Sequence, residues 1–110
     1  MEVENYLYIH AKLFKKGIYS EELEQYILGV FILDKEVRNI HLPWYSKSHF
    51  FNLNHQIIFD TIEQLCFEQS SIDLFEVGLK LDKCKNLKKI GGFNYLAKIL
   101  EIATDNTFKF

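Results

Sequence analysis

The sequence predicts an all-α fold, a compact bundle of about five or six short helices. Apolar residues recur at spacings of three and four along most of the chain, and extended period-2 alternation is missing. One proline and five glycines interrupt 110 residues, so helical stretches have room to run. Helix-start signals also stand just ahead of the apolar stripes, at Ser20-Glu21-Glu22 and at Asp73 with Glu76.

Taken in order, Asn5 to Lys16 reads as a first helix carrying Leu7, Ile9, Leu13 and Phe14, ended by Gly17. Ser20 is a good N-cap for the second helix, with Glu21 and Glu22 set against the positive end of its dipole. In that helix Leu23, Tyr26, Ile27 and Val30 form a stripe that Leu28, Phe31 and Ile32 widen to most of the circumference. Ser20 to Leu33 is therefore expected near the centre of the bundle. From Asp34 to Ser48 the pattern breaks, and Val37, Ile40 and Leu42 suggest a short helix that Pro43 stops. Leu53 or Asn54 to Glu68 is clearly amphipathic, with Ile58, Ile62 and Leu65 on one face. Asp73 and Glu76 form an Asp-x-x-Glu capping box for a helix placing Leu74, Val77, Gly78 and Leu81 together. Lys83 to Lys89 reads as a basic turn. Gly91-Gly92 then leads into a last helix with Phe93, Leu96, Ile99, Leu100 and Ala103 inward.

Composition bounds the function. A chain of 110 residues suits one domain, and at 48% hydrophobic with ten Phe and six Tyr its core should be aromatic. A net charge of -2 argues against nucleic acid as the main partner, since phosphate binding needs an excess of Lys and Arg on one face. The five lysines between Lys80 and Lys89 read as a solvated turn diluted by Asp82. No apolar run approaches the roughly 20 residues of a membrane span, and Met-Glu-Val-Glu-Asn lacks a basic signal region. Cys66 and Cys84 form no CxxC, so reduced thiols and a cytoplasmic location are expected.

Reactive constellations are not expected. The acidic residues Glu21, Glu22, Asp73 and Glu76 sit where caps and dipoles want them, so no catalytic residue is assigned. His10, His41, His49 and His55 show no i, i+4 pair, so no metal ligand is assigned. His55 reads as a packed or capping residue near a helix start. There is no Gly-x-x-x-x-Gly-Lys-Ser/Thr, and no cofactor is expected. Trp44-Tyr45, beside Pro43, either caps the core or anchors an interface, and these two residues are the candidate protein-contact positions. Of Phe50-Phe51, at least one is expected in the core.

Four segments in order resemble the N-terminal domain of DnaB-type replicative helicases. They are Glu22-Leu-Glu24-Gln25-Tyr-Ile-Leu-Gly29 with Asp34; Phe50-Phe51 with His55, Phe59 and Ile62; Ile72-Asp73 with Val77; and Gly91-Gly92 with Tyr95-Leu96. With the cap Ser20, the motif positions Glu24, Gln25, Gly29, Phe50, His55, Phe59, Asp73, Gly91, Gly92 and Tyr95 are expected to serve structure. The sequence departs from the family at Ile18 and Ser71, where proline is usual, at Leu23, where alanine is usual, and at Gln69, where glycine is usual.

The resemblance implies a helicase-type domain over 20–103, a helical extension over 1–19, and a tail over 104–110 where a subunit-pairing hairpin would begin. It implies other helicase subunits, primase and a loader as partners, an ATPase domain outside this chain, no direct nucleic-acid or membrane contact, and weak self-association of this chain alone. Two other readings stand beside it. One is the similarly folded helicase-binding domain of primase, or a stand-alone helical interaction module, which the Glu-Gln helix and the Gly-Gly-x-x-Tyr-Leu segment disfavour. The other is a small helical DNA-binding regulator, which the acidic balance disfavours.

Overall fold

A computed structural model describes residues 2–105 and 108. Its helices are α1 (Glu2–Lys15), α2 (Glu21–Leu33), α3 (Lys35–His41), α4 (Leu53–Phe67), α5 (Leu74–Lys83), α6 (Leu87–Ile90) and α7 (Gly92–Thr104). Short 3-10 turns at Leu42–Trp44 and Lys47–His49 bridge α3 to α4, and no strand occurs among the described residues. The all-α prediction holds, and the helix count exceeds five or six because α6 overlaps the end of the run read as a basic turn. Ile90 is buried and Leu87 partly so, three residues apart, which draws this one turn against the core while Lys88 and Lys89 face out.

The second helix is the axis of the bundle. Every residue from Leu23 to Ile32 is buried, as its nearly all-round apolar pattern requires. Ser20 opens it by accepting the Leu23 N–H at 3.2 Å. Asp34 ends it and caps α3, its carboxylate accepting the Val37 N–H at 3.0 Å. The buried Arg38 of α3 folds back to donate to the carbonyls of Phe31 (2.6 Å) and Ile32 (3.2 Å). Those carbonyls have no partner within α2, so a cation there satisfies them and complements the negative end of the dipole.

Along α2 lies α7, and the seam depends on Gly29. A Cβ at Gly29 would stand 2.6 Å from the Ala103 Cβ and 2.7 Å from the Ile99 carbonyl oxygen. Gly91, at φ +111°, supplies the left-handed turn that closes α6 and opens α7. The fourth and fifth helices complete the core with Ile58, Phe59, Ile62, Val77 and Leu81, all fully buried.

Several local expectations are refined. The first helix begins at Glu2, and its Phe14 is exposed rather than core. Pro43 sits in the first turn of a 3-10 segment, where a missing N–H costs nothing. Asp73 accepts the Glu76 N–H at 2.7 Å, but no return bond from the Glu76 side chain accompanies it, so half of the predicted capping box forms. Phe93, predicted inward, instead stacks near Phe75 and lies over Gly78 with its rim in solvent. Within the predicted tail, residues 106, 107, 109 and 110 lie outside the described ones. Phe108 stacks on Tyr26 and its carbonyl accepts from the Tyr6 hydroxyl at 3.2 Å.

Candidate functional site

A glutamate stands in the middle of the apolar face of α2. Glu24 shares its face with Ile27, Leu28 and Phe31, three, four and seven residues on, and only 1% of it is exposed. Burying a carboxylate is costly unless every oxygen finds a donor, and here each does. Oε2 accepts the Phe51 N–H at 2.7 Å, and Oε1 accepts the Asn52 N–H at 3.3 Å and the His55 Nδ1–H at 2.7 Å. His55, on the first turn of α4, is wholly buried. Its other nitrogen lies 2.6 Å from the Tyr95 hydroxyl of α7, which also accepts from the Gln25 amide at 2.9 Å.

The directions of these bonds follow from the donors. Gln25 can only donate through Nε2, so the Tyr95 oxygen accepts there and its own proton points to His55 Nε2. That leaves Nδ1–H to donate to Glu24. A neutral imidazole with an ionised glutamate satisfies the whole chain, and no buried side-chain polar atom among the described residues is left without a partner. Burial pushes the Tyr95 phenol upward, opposed in part by the Gln25 amide.

Glutamate, histidine and hydroxyl in sequence also make a relay geometry. A reaction would need that hydroxyl to open into a cavity, and the two grooves flanking this region are lined by neither His55 nor Tyr95. What the cluster does in the fold is tie α2, α4 and α7 together and fix the strand of backbone between the second 3-10 turn and α4. Around residues 50–52 the clamps multiply. Gln56 donates to the Phe50 carbonyl at 2.8 Å, the Asn52 side chain donates to Glu21 at 3.2 Å, and Asn52 caps α4 by accepting from Asn54 and His55.

This clamped segment sends Phe50 into the core and Phe51 out. Phe51 is 62% exposed and stacks face to face on Tyr19, ring centroids 3.8 Å apart at 10°. Leu53 beside it is 71% exposed. The pair forms an aromatic ledge between two shallow grooves, one of about 470 Å³ walled by His10, Phe14, Ile18 and His49, the other bordered by Glu21 and Asn54.

The motif positions fall into two groups. Glu24, Gln25, His55 and Tyr95 meet in the polar cluster. Ser20, Gly29, Phe50, Phe59, Asp73, Gly91 and Gly92 serve caps, core and turns elsewhere. Trp44 is 81% exposed at the end of its 3-10 turn. Tyr45 instead turns inward, edge-on to Phe31 and within 3.0 Å of His10 Nδ1, and burial pushes its phenol up. No motif or apolar stripe in the sequence marks Tyr19 and Phe51 as an outward pair. Their signal was faint, a lone aromatic in a short linker and the second member of Phe50-Phe51.

Among the described residues no group of three or more His, Cys, Asp and Glu side chains could hold a metal ion, and no helix is long and apolar enough to cross a membrane. Cys66 and Cys84 are free. In the lysine run, Lys80 pairs with Glu68 at 2.8 Å.

Fold and cluster together define a class: a small all-helical domain wound about one buried helix and pinned by a buried polar cluster where three helices meet. The chain belongs to the DnaB-like helicase N terminal domain family, whose pattern matches residues 17–108. It is 38% identical over 80 residues to the replicative DNA helicase DnaB of Buchnera aphidicola subsp. Baizongia pistaciae, covering 73% of this chain and 17% of that protein. To the replicative DNA helicase DnaB of the subsp. Schizaphis graminum it is 31% identical over 97 residues, covering 87% and 21%. The chain thus spans about a fifth of the length of these relatives. The crystal structure of the N-terminal domain of DnaB helicase from Mycobacterium tuberculosis superposes with a TM-score of 0.72 at 28% identity, covering 76% of this chain and 58% of that one.

Proposed function

We propose that this chain is the N-terminal collar domain of a cytoplasmic replicative DNA helicase, packing against its neighbours in a hexameric ring and docking primase or a loader. In this reading residues 20–103 are the collar domain proper, 1–19 an extension and 104–110 a tail. Strand separation and ATP hydrolysis belong to other parts of the parent protein. Family membership supports the helicase side over the helicase-binding domain of primase. The net charge of -2 supports protein rather than DNA as the direct partner.

The observation that carries the docking reading is the clamped aromatic ledge. Association loses part of its gain to ordering side chains and loops at the interface. A ledge whose backbone is already fixed by Glu24, Gln56 and Asn52 avoids much of that cost, and stacked aromatics are the side chains that anchor interfaces. Trp44, standing free at another edge, is the second candidate anchor.

Calorimetric titration with the C-terminal domain of the same organism's primase tests this. Saturable heat, weakened at least tenfold (roughly 1.4 kcal/mol) by Phe51→Ala, is the expected result. Loss with Trp44→Ala but not Phe51→Ala moves the surface to Trp44. No heat at high micromolar concentration removes primase docking and leaves subunit packing.

A further inference from the structure

We propose that α1 is a strap whose docking is switched by protonation of His10, closed at neutral pH and released in acid. The inference stands independently of where a partner docks. All of α1 precedes the residues matched by the family pattern. It is held on by Leu7 and His10, both buried, and by Tyr6, which meets Tyr26 edge-on and donates to the Phe108 carbonyl.

His10 is the polar group at the middle of this contact. Its ring lies parallel to Tyr45 at 5.6 Å and against Phe50 at 5.4 Å, with Nδ1 at 3.0 Å from the Tyr45 hydroxyl. The ionisable groups facing it from other elements are Glu24 of α2, His49 of the second 3-10 turn and Tyr45 before that turn. Burial among aromatic rings lowers the imidazole from 6.5 to about 4, outweighing Glu24 and the His49 backbone, which favour the proton, while the His49 ring disfavours it. A second contact between α1 and the rest of the domain, Glu4 with His41 at 3.4 Å, lies at the surface. Being exposed, it contributes little.

The sign follows from linkage. The docked value lies below that of a released, solvated histidine, so docking is complete above the ordinary value and weakens as pH falls toward 4. Near pH 5 the docking equilibrium should be about 30-fold less favourable than near neutrality. Release uncovers Phe50 and Tyr45, and it removes the His10 and Phe14 wall of the groove beside Phe51.

Hydrogen exchange of the full chain at pH 7.5 and 5.0, corrected for intrinsic rates, is the test. Protection over residues 2–15 should fall about 30-fold relative to α4, and His10→Gln should flatten that difference. In parallel, the His10 ring of the unmodified chain is titrated by NMR. An imidazole that titrates near its ordinary value with α1 still protected overturns the proposal, as does loss of protection that is uniform across all helices. If His10→Gln leaves α1 undocked at both pH values, the ring titration of the unmodified chain decides.

Discussion

At the scale of single residues, the polar cluster concentrates the stability of the domain in a few atoms. Tyr95 serves two partners at once, so Tyr95→Phe leaves the Gln25 amide and His55 Nε2 each short of a bond. The expected loss is about 1–3 kcal/mol, read from the urea midpoint. His55→Ala strips a buried glutamate of its side-chain partner, and the cost should rise to about 3–5 kcal/mol. A Tyr95→Phe loss as large as that of His55→Ala would mean that the hydroxyl, not the hydrogen bond from His55 to Glu24, holds the cluster. The sequence carried half of this. Glu24, Gln25, His55 and Tyr95 were all singled out as motif positions. An acid spaced three, four and seven residues from Ile27, Leu28 and Phe31 is itself a sign of a buried charge seeking a partner. That the partner was His55, thirty-one positions away, depends on how α4 crosses α2, and a local pattern does not contain that.

At the scale of elements, helices were legible where an apolar stripe and a cap coincide, as in α2 and α5, and α4 was legible from its stripe alone. The pattern failed at α6, where one turn has too few residues to show a period, and at Phe93, whose helical position is right but whose neighbour is the glycine of another helix. Glycine contacts between helices give a comparative prediction. A methyl at Gly29 meets the backbone oxygen of Ile99 and the Cβ of Ala103, neither of which can swing aside, so Gly29→Ala should destabilise by about 1–3 kcal/mol despite better helix propensity. At Gly78 the obstacle is the partly exposed ring of Phe93, a side chain rather than backbone. Gly78→Ala should therefore fall near neutral, its clash offset by the roughly 1 kcal/mol that alanine gains over glycine in a helix. Thermal or urea denaturation of both variants checks the order, and a Gly78→Ala protein less stable than Gly29→Ala would contradict the account of the α2–α7 seam.

At the scale of the whole molecule, core and surface separate along the segment Phe50–Asn52, which sends one ring inward and the next outward. The outward pair escaped the sequence reading because Tyr19 and Phe51 are thirty-two positions apart, and their stacking exists only once α1 turns into α2 beside the cap of α4. An exposed ring that adds nothing to the core can be removed cheaply, since surface substitutions of this kind usually change stability by no more than about 0.5 kcal/mol. Phe51→Ala should thus leave the urea midpoint nearly unchanged while weakening partner binding, whereas Phe50→Ala should cost about 3–5 kcal/mol and disturb binding through unfolding. Self-association belongs to the same scale. Light scattering of the chain at low micromolar concentration should report monomer, as the proposed role of packing only within a larger ring requires. A tight dimer that dissociates in Phe51→Ala would instead assign the ledge to a second copy of the chain, and the primase titration would then have to be repeated against that dimer.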